Sequence, residues 1–327
     1  MRTYAWRILD QRVFVIFGIV LVGLSLAVPD FTSGPNVQNV LQRAAPDGLM
    51  AVGMTLVLLV GQLDLSIGST FALAGLVGIG LQPVLGTYPA IVVGIAVGPV
   101  VGLLNGILVA RVGLNSFIAT LGTMIGVRGF AYLLSTGPVS GTDLGIGGAV
   151  DGTLLGPITF RSAVFLLAVA VAALVLARTG IGRNVYAVGG NPESSRLAGV
   201  DPRRYLIGAF IVSGLTASVA GVLLSLSVNT GSPVFGQTTV ITAITAAVLG
   251  GTSLTGGEGG VIQTLGGTLI LSSIGAGLDR LNVPVYFQSI TTGLLLIIVV
   301  LLDAVISRRR SEAAGRRPRI RVTVATG

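Results

Sequence analysis

The sequence predicts an all-α polytopic membrane protein of about ten transmembrane helices, with discontinuous glycine-rich segments and two structurally related halves. Three observations predict it. The 327-residue chain is 52% hydrophobic and only 10% charged, with a mean hydropathy of +0.92, values that belong to many membrane spans and not to a soluble core. Apolar runs recur from end to end with short polar breaks between them. The 20 basic residues, all arginine, gather at the ends of those runs and in the tail, the pattern that orients helices in a membrane.

Taken in order, Arg2, Arg7 and Arg12 precede the apolar run 13–28. It reads as a first span with its N-terminus inside. Ser25-Leu26-Ala27 also resembles a signal-peptide cleavage site, so removal of the segment up to residue 27 is the alternative. Residues 29–42 read as a short outer segment. Spans follow at 47–62, 67–85, 88–110 and 117–134. The stretch 135–160, rich in Gly and Thr, reads as a long outer loop with turns. The sixth span has an apolar core at 162–177, about 24 Å long. That is short of a hydrocarbon layer of about 30 Å, so snorkelling of Arg161 and Arg178 or a local adjustment must make up the difference. Spans at 205–228, 238–249, 261–278 and 285–306 complete the set, with an outer turn at 229–237 and a glycine-rich connection at 250–260. Residues 1–306 thus form one membrane domain, and 307–327 a basic cytoplasmic tail expected to be disordered.

Charge tests this topology. Ten spans put both termini on one side. Three arginines precede the first span, Arg111 follows the fourth, five belong to 178–204 and seven follow the tenth. Sixteen of the 20 arginines therefore share the cytoplasmic side, leaving Arg43, Arg128, Arg161 and Arg280. Arg128, inside the fifth span, is expected to face the bundle or pair with a carboxylate. Gly94, Gly98, Gly102 and Gly106 recur at helical spacing and favour close helix packing.

The absences narrow the chemistry. With no Cys and no His, only carboxylates and carbonyls remain as metal ligands, so no zinc, haem or iron–sulfur site is expected. Without Lys there is no Walker A lysine and no Schiff base, and without His no Ser-His-Asp triad. The chain is expected to bind no cofactor of its own. Its net charge of +8 is explained by membrane orientation, so no nucleic-acid partner is expected beside the lipid bilayer.

The longest polar run between two apolar segments is 179–204, TGIGRNVYAVGGNPESSRLAGVDPRR. Asn191 suits a helix N-cap, Pro192 the first helical position, Glu193 the first turn, and Gly199 a stop. Asp201-Pro202 then breaks the chain before the next span. A short surface helix at 192–198, with Ser194, Ser195, Arg196, Leu197 and Ala198, lies across the cytoplasmic face and can carry force between spans. An ordinary capped connector would show the same signals.

Two interruptions share the pattern G-x-x-[DS]-L-[ST]-x-G: 61–68 and 250–257. Breaks at corresponding positions of two halves point to a transport pathway, which would include Asp64, Ser66, Gly250, Gly251 and Thr252. Tight turns at span ends are the plain alternative. Asp64 is an acid near membrane depth, where acids are costly and usually functional.

Four runs carry a resemblance: TLVLLVGQLDLSIGSTFALAG at 55–75, NSFIATLGT at 115–123, GRNVYAVGGNPESSRLAGV at 182–200 and AAVLGGTSLTGGEGG at 246–260. In this order, over nearly the whole chain, they resemble the permease subunits of ATP-binding-cassette (ABC) importers for monosaccharides, the ribose, xylose and galactose group. The resemblance implies a bacterial inner-membrane subunit that pairs with a second permease copy, receives sugar from an extracytoplasmic binding protein, and is driven by separate ATPase subunits that hold the ATP-Mg. It also implies that 190–199, from Gly190 through Asn191 to Gly199, is the coupling helix that docks on the ATPase. The chain departs from the group's pattern at Gly61-Gln62-Leu63-Asp64, at Ser194-Ser195-Arg196-Leu197-Ala198-Gly199 and at Glu258. A branched-chain amino-acid permease is the runner-up, though LDLSIGS favours sugar. An ion-coupled transporter would need more embedded carboxylates than Asp64, and an intramembrane enzyme lacks catalytic side chains.

Overall fold

The apolar runs become helices. The structure, a computed structural model, describes residues 2–315. The chain begins with α1 (Arg2–Ala27), α2 (Gly34–Leu59), α3 (Ile67–Gly80), the short α4 (Gln82–Leu85), α5 (Thr87–Ala110) and α6 (Ser116–Leu134). The outer connection holds β1 (Val139–Ser140), α7 (Ile146–Asp151), β2 (Thr153–Leu155) and β3 (Ile158–Thr159). Then come α8 (Phe160–Arg178), α9 (Gly180–Gly190), α10 (Pro192–Leu197), α11 (Pro202–Ser227), β4 (Thr230–Gly231), α12 (Thr239–Leu249), α13 (Val261–Arg280) and α14 (Val285–Gly315). β1 pairs with β4 and β2 with β3, both antiparallel.

Each expected span falls on a helix, but the helices are unequal. Among the described residues five, α5, α6, α8, α11 and α13, are long and apolar enough to cross a membrane by themselves. α3 has 14 residues and α12 has 11, about 21 and 16 Å at 1.5 Å per residue. Neither reaches across a hydrocarbon core of about 30 Å.

α11 is the central packing element, set against α5, α3 and α2, while α2 also packs on α13 and α12. The glycine row of α5 explains the closest contact. A Cβ added at Gly98 would stand 2.0 Å from the Gly214 carbonyl oxygen, and one at Gly102 would stand 2.2 Å from that of Phe210. The two backbones touch, as small residues at this spacing allow.

Several connections differ from expectation. The outer segment expected at 29–42 is short: α2 starts at Gly34 and carries Pro46 inside it. In its N-terminal turns Asn36 is buried while Pro35, Val37 and Asn39 are exposed. Asn36 Nδ2 donates to the Phe31 carbonyl at 2.7 Å. The 179–204 connection holds two helices, since α9 precedes α10. The segment expected as an outer turn at 229–237 instead runs inward along α3. Gly231 packs on Leu76 and Ile79, Gly236 on Gly68 and Phe71. The polar composition that marks a surface loop also suits backbone that needs partners inside a bundle. Lastly, α14 continues to Gly315, through residues 307–315 of the expected tail; residues 316–327 lie outside the described residues.

The four arginines left over by the charge count all have protein partners. Arg43 pairs with Asp279, and Arg161 with Asp151 at 3.0 Å. Arg280 donates to the Pro29 carbonyl at 2.8 Å. Arg128 donates to the carbonyls of Pro233 and Phe235, so it faces the bundle and ties down the inward-running segment without a carboxylate.

Candidate functional site

The first interruption is a helix stop followed by a polar knot. Gly61, at φ 75°, ends α2. Its N–H bonds to the Leu58 carbonyl and that of Gln62 to the Val57 carbonyl, the two bonds of a Schellman cap. The chain then crosses Leu63 to Ser66 without helix. Side chains of α6 satisfy it there: the N–H of Leu63 donates to Ser116 Oγ at 3.2 Å and that of Leu65 to Thr120 Oγ1 at 3.1 Å. This assigns a task to the NSFIATLGT run, because hydroxyls must replace the lost helical partners where no water reaches.

Asp64 is 1% exposed. Its Oδ1 accepts from the Ser66 N–H at 3.0 Å and Ser66 Oγ at 2.6 Å, and its Oδ2 from Ser213 Oγ of α11 at 2.8 Å. Asn105 of α5 donates to Ser66 Oγ at 2.8 Å. The carboxylate has three hydroxyl and amide donors, and no ion pair with it is found among the described residues. Asp64 and Ser66 thus join α2, α3, α5 and α11 at one point. Sequence reasoning found these two residues and missed Asn105 and Ser213, which lie far off in the chain on unremarkable apolar runs.

The second interruption uses the same stop in a different register. Gly251, at φ 87°, donates to the Val248 carbonyl and Thr252 to that of Ala247. Gly251 is therefore the structural counterpart of Gly61, and the sequence alignment, which matches Gly250 to Gly61, is one residue off. Gly250 is the cap residue, and it is confined: a Cβ there would meet the Gln263 backbone at 2.6 Å. Thr252 is buried, and its Oγ1 has no hydrogen-bond partner.

The two interruptions meet. Gly257 N–H donates to the Leu59 carbonyl at 3.0 Å. A Cβ at Gly256 would stand 2.8 Å from Gly61 Cα, and one at Gly257 would stand 2.8 Å from Gly190 Cα. Gly189 is tighter still, with a built Cβ 1.8 Å from the Leu59 oxygen and 2.6 Å from Gly257 N. The end of α9 therefore lies backbone to backbone on both interruptions. Tyr186 of α9 adds a bond from Oη to the Gly259 carbonyl at 2.9 Å.

α10 leaves directly from this junction. The Asn191 side chain accepts from the Ser194 N–H at 2.8 Å, Pro192 opens the helix and Gly199, at φ 81°, closes it. The N–H of Gly199 bonds to the Arg196 carbonyl and that of Val200 to the Ser195 carbonyl, again a Schellman cap. Ser195 is 4% exposed and faces inward, whereas Leu197 is 80% exposed. Glu193 and Arg196 pair at 2.8 Å on the surface, and that bond holds the Glu193 carboxyl below its ordinary range. No group of three or more acids able to hold a metal is found among the described residues.

The family model described as "Branched-chain amino acid transport system / permease component" matches residues 36–300. The ribose import permease protein RbsC of Haemophilus influenzae is 35% identical over 306 residues, 90% of this chain and 93% of the relative. That of Bacillus subtilis is 36% identical over 293 residues, 87% and 89% of the two chains. The L-arabinose ABC transporter permease protein AraH of Azospirillum brasilense is 36% identical over 315 residues, covering 91% and 88%. No solved structure matches the chain.

Proposed function

The chain belongs to the family of branched-chain amino acid transport system permease components, and from that membership we propose that it is the membrane permease subunit of an ABC importer for a monosaccharide. Its relatives named for ribose and L-arabinose cover nearly its whole length, and the LDLSIGS run at 63–69 favours sugar over a branched-chain amino acid. The subunit crosses the cytoplasmic membrane ten times with both termini inside and pairs with a second permease copy. It takes sugar from an extracytoplasmic binding protein and leaves ATP-Mg hydrolysis to partner ATPases.

The observation that carries this reading is α10. A helix capped at both ends projects from the bundle and presents an exposed leucine, Leu197. An isolated helix this short is not stable in water; here the caps and the inward Ser195 hold it ready, so docking a partner costs little ordering. Gly190 to Gly199 act as the coupling element on the ATPase. Asp64, Ser66 and the Gly250–Gly251–Thr252 turn belong to the translocation pathway as the joints of its broken helices, and the ATPase does not touch them.

Leu197→Asp tests the reading. With the permease still in the membrane, the ATPase subunit is expected to stop co-purifying, and ribose or L-arabinose uptake to fall about tenfold or more, the loss typical of an interface anchor. Undiminished association and uptake would place the coupling surface elsewhere.

A further inference from the structure

Away from the two interruptions, a cavity of about 60 Å³ lies among α2, α12, α13 and α14, toward the N-terminal half of α2. Its lining is polar for a chain of this composition. Ser272 of α13 is 3% exposed, and its Oγ has no hydrogen-bond partner. Gln288 of α14 accepts from Arg43 Nη2 at 2.8 Å and donates to Asp279. Arg43 also pairs with Asp279 and has room to lie there because position 275 is glycine, where a Cβ would stand 2.6 Å from its Nε. Asp47, one helical turn along α2 from Arg43, lines the same space. Thr242 and Thr292 use their hydroxyl protons on the carbonyls of Thr238 and Gln288, which leaves their oxygens as acceptors. Leucine and isoleucine side chains close the remaining wall.

Unpaired polar groups inside a membrane protein are costly and need a use. A void this size has room for about four waters and is too small for a monosaccharide. Yet its chemistry suits one: hydroxyls both donate and accept, a carboxylate and a guanidinium stand one helical turn apart, and an apolar wall can take the C–H face of a sugar ring. The wall that can open is α14, which packs chiefly on α12 and more lightly on α13. We infer that this cavity is a closed binding station for the transported sugar. Asp47 and Ser272 hold its hydroxyls, Arg43 and Gln288 fix the donor side, and movement of α14 admits it. The inference rests on the permease reading and adds a site to it. It also separates two roles: Asp64 has its donors already and joins the broken helices, while Asp47 lines the cavity and, among the described residues, has Arg43 as its neighbouring charge.

The absence of cysteine makes the test direct. Ser272→Cys and Val222→Cys each place the one thiol of this chain in the transporter reconstituted with its ATPase and binding protein, and labelling is read on this chain by its mass. A small polar methanethiosulfonate reagent is applied during turnover, with and without ribose or L-arabinose. Ser272→Cys is expected to react and to be protected by the transported sugar, with Val222→Cys, buried in the main core of α11, inert. Asp47→Asn is expected to lower uptake about tenfold, the worth of one hydrogen bond to a charged group, with the ATPase still bound. If the transporter moves sugar while Ser272→Cys stays inert and Asp47→Asn takes up sugar normally, the site is overturned. If unmutated transporter moves leucine or valine and neither sugar, the substrate reading itself has failed, and that result needs no mutant.

Discussion

After α2 the chain stops its helix at Gly61 and resumes at Ile67; after α12 it stops at Gly251 and resumes only at Val261. The stop is the same pair of backbone bonds in both places. The two breaks are held differently beyond that point. The first is stitched by side chains from three other helices: Ser213 of α11 on Asp64, Asn105 of α5 on Ser66, and Ser116 and Thr120 of α6 on the backbone. The second is held by backbone contact, with Gly256 and Gly257 lying on Gly61, Gly189 and Gly190, and by bonds to main-chain atoms from Gly257 N–H to Leu59 and from Tyr186 Oη to Gly259, and it leaves Thr252 Oγ1 unpaired. Side-chain bonds need particular residues at particular places, whereas backbone contact requires that no side chain intervene. The first break is therefore specified by side chains from distant helices and the second chiefly by main-chain atoms, and the helix that leads to α10 rests on both.

The largest effect belongs to the shared contact. Gly189→Ala puts a methyl 1.8 Å from the Leu59 oxygen, and neither backbone can retreat without the other. A loss of about 3 kcal/mol is expected, the upper end of overpacking, read as a fall in the unfolding midpoint in mixed micelles. Gly190→Ala, with nothing within 4 Å of its built Cβ, is the tolerated control. Equal tolerance at both positions would break the junction between α9 and the two interruptions.

The next effect separates the two breaks. Ser213→Ala removes the only donor to Asp64 Oδ2 found among the described residues and is expected to cost about 1–2 kcal/mol. Thr252→Val removes a hydroxyl that has no partner and should stay within about 0.5 kcal/mol of the parent. A double-mutant cycle with Asp64→Asn sharpens the first result, since Ser213 and Asp64 must show coupling. A larger loss at Thr252 than at Ser213 would reverse the comparison.

The smallest effect lies on α10. Arg196 lowers the Glu193 pKa, so the pair steadies the helix above the ordinary glutamate range, and that contribution fades as pH falls through the lowered value. Both side chains are exposed and salt screens them. Glu193→Gln should match the parent in ATPase association at high salt, with a slight deficit at low salt that disappears on acidification. A deficit that grows on acidification would contradict the assignment.

The alternation of apolar runs and the helix at α10 were legible in the sequence. Asn191, Pro192 and Gly199 act within a turn or two of their own position, and capping depends on little else. The repeat G-x-x-[DS]-L-[ST]-x-G was legible as two stops, though one residue out of register, because the pattern records glycine spacing and not which glycine takes positive φ. The inward course of 229–237 was not legible: polar, glycine-rich backbone reads the same whether water or Arg128 satisfies it.

What the sequence determined alone was where most helices start and stop, since hydropathy and caps are local properties. Tertiary structure decided which stops touch and which side chains answer each other. It brought Leu59, Gly189 and Gly257 into contact, set Ser213 on Asp64 across 149 residues of chain, turned Ser195 inward and Leu197 outward, and gathered Arg43, Asp47, Ser272 and Gln288 around one cavity. Those outcomes depend on the rotation and depth of packed helices, which are set by all the contacts together and not by any one stretch of residues.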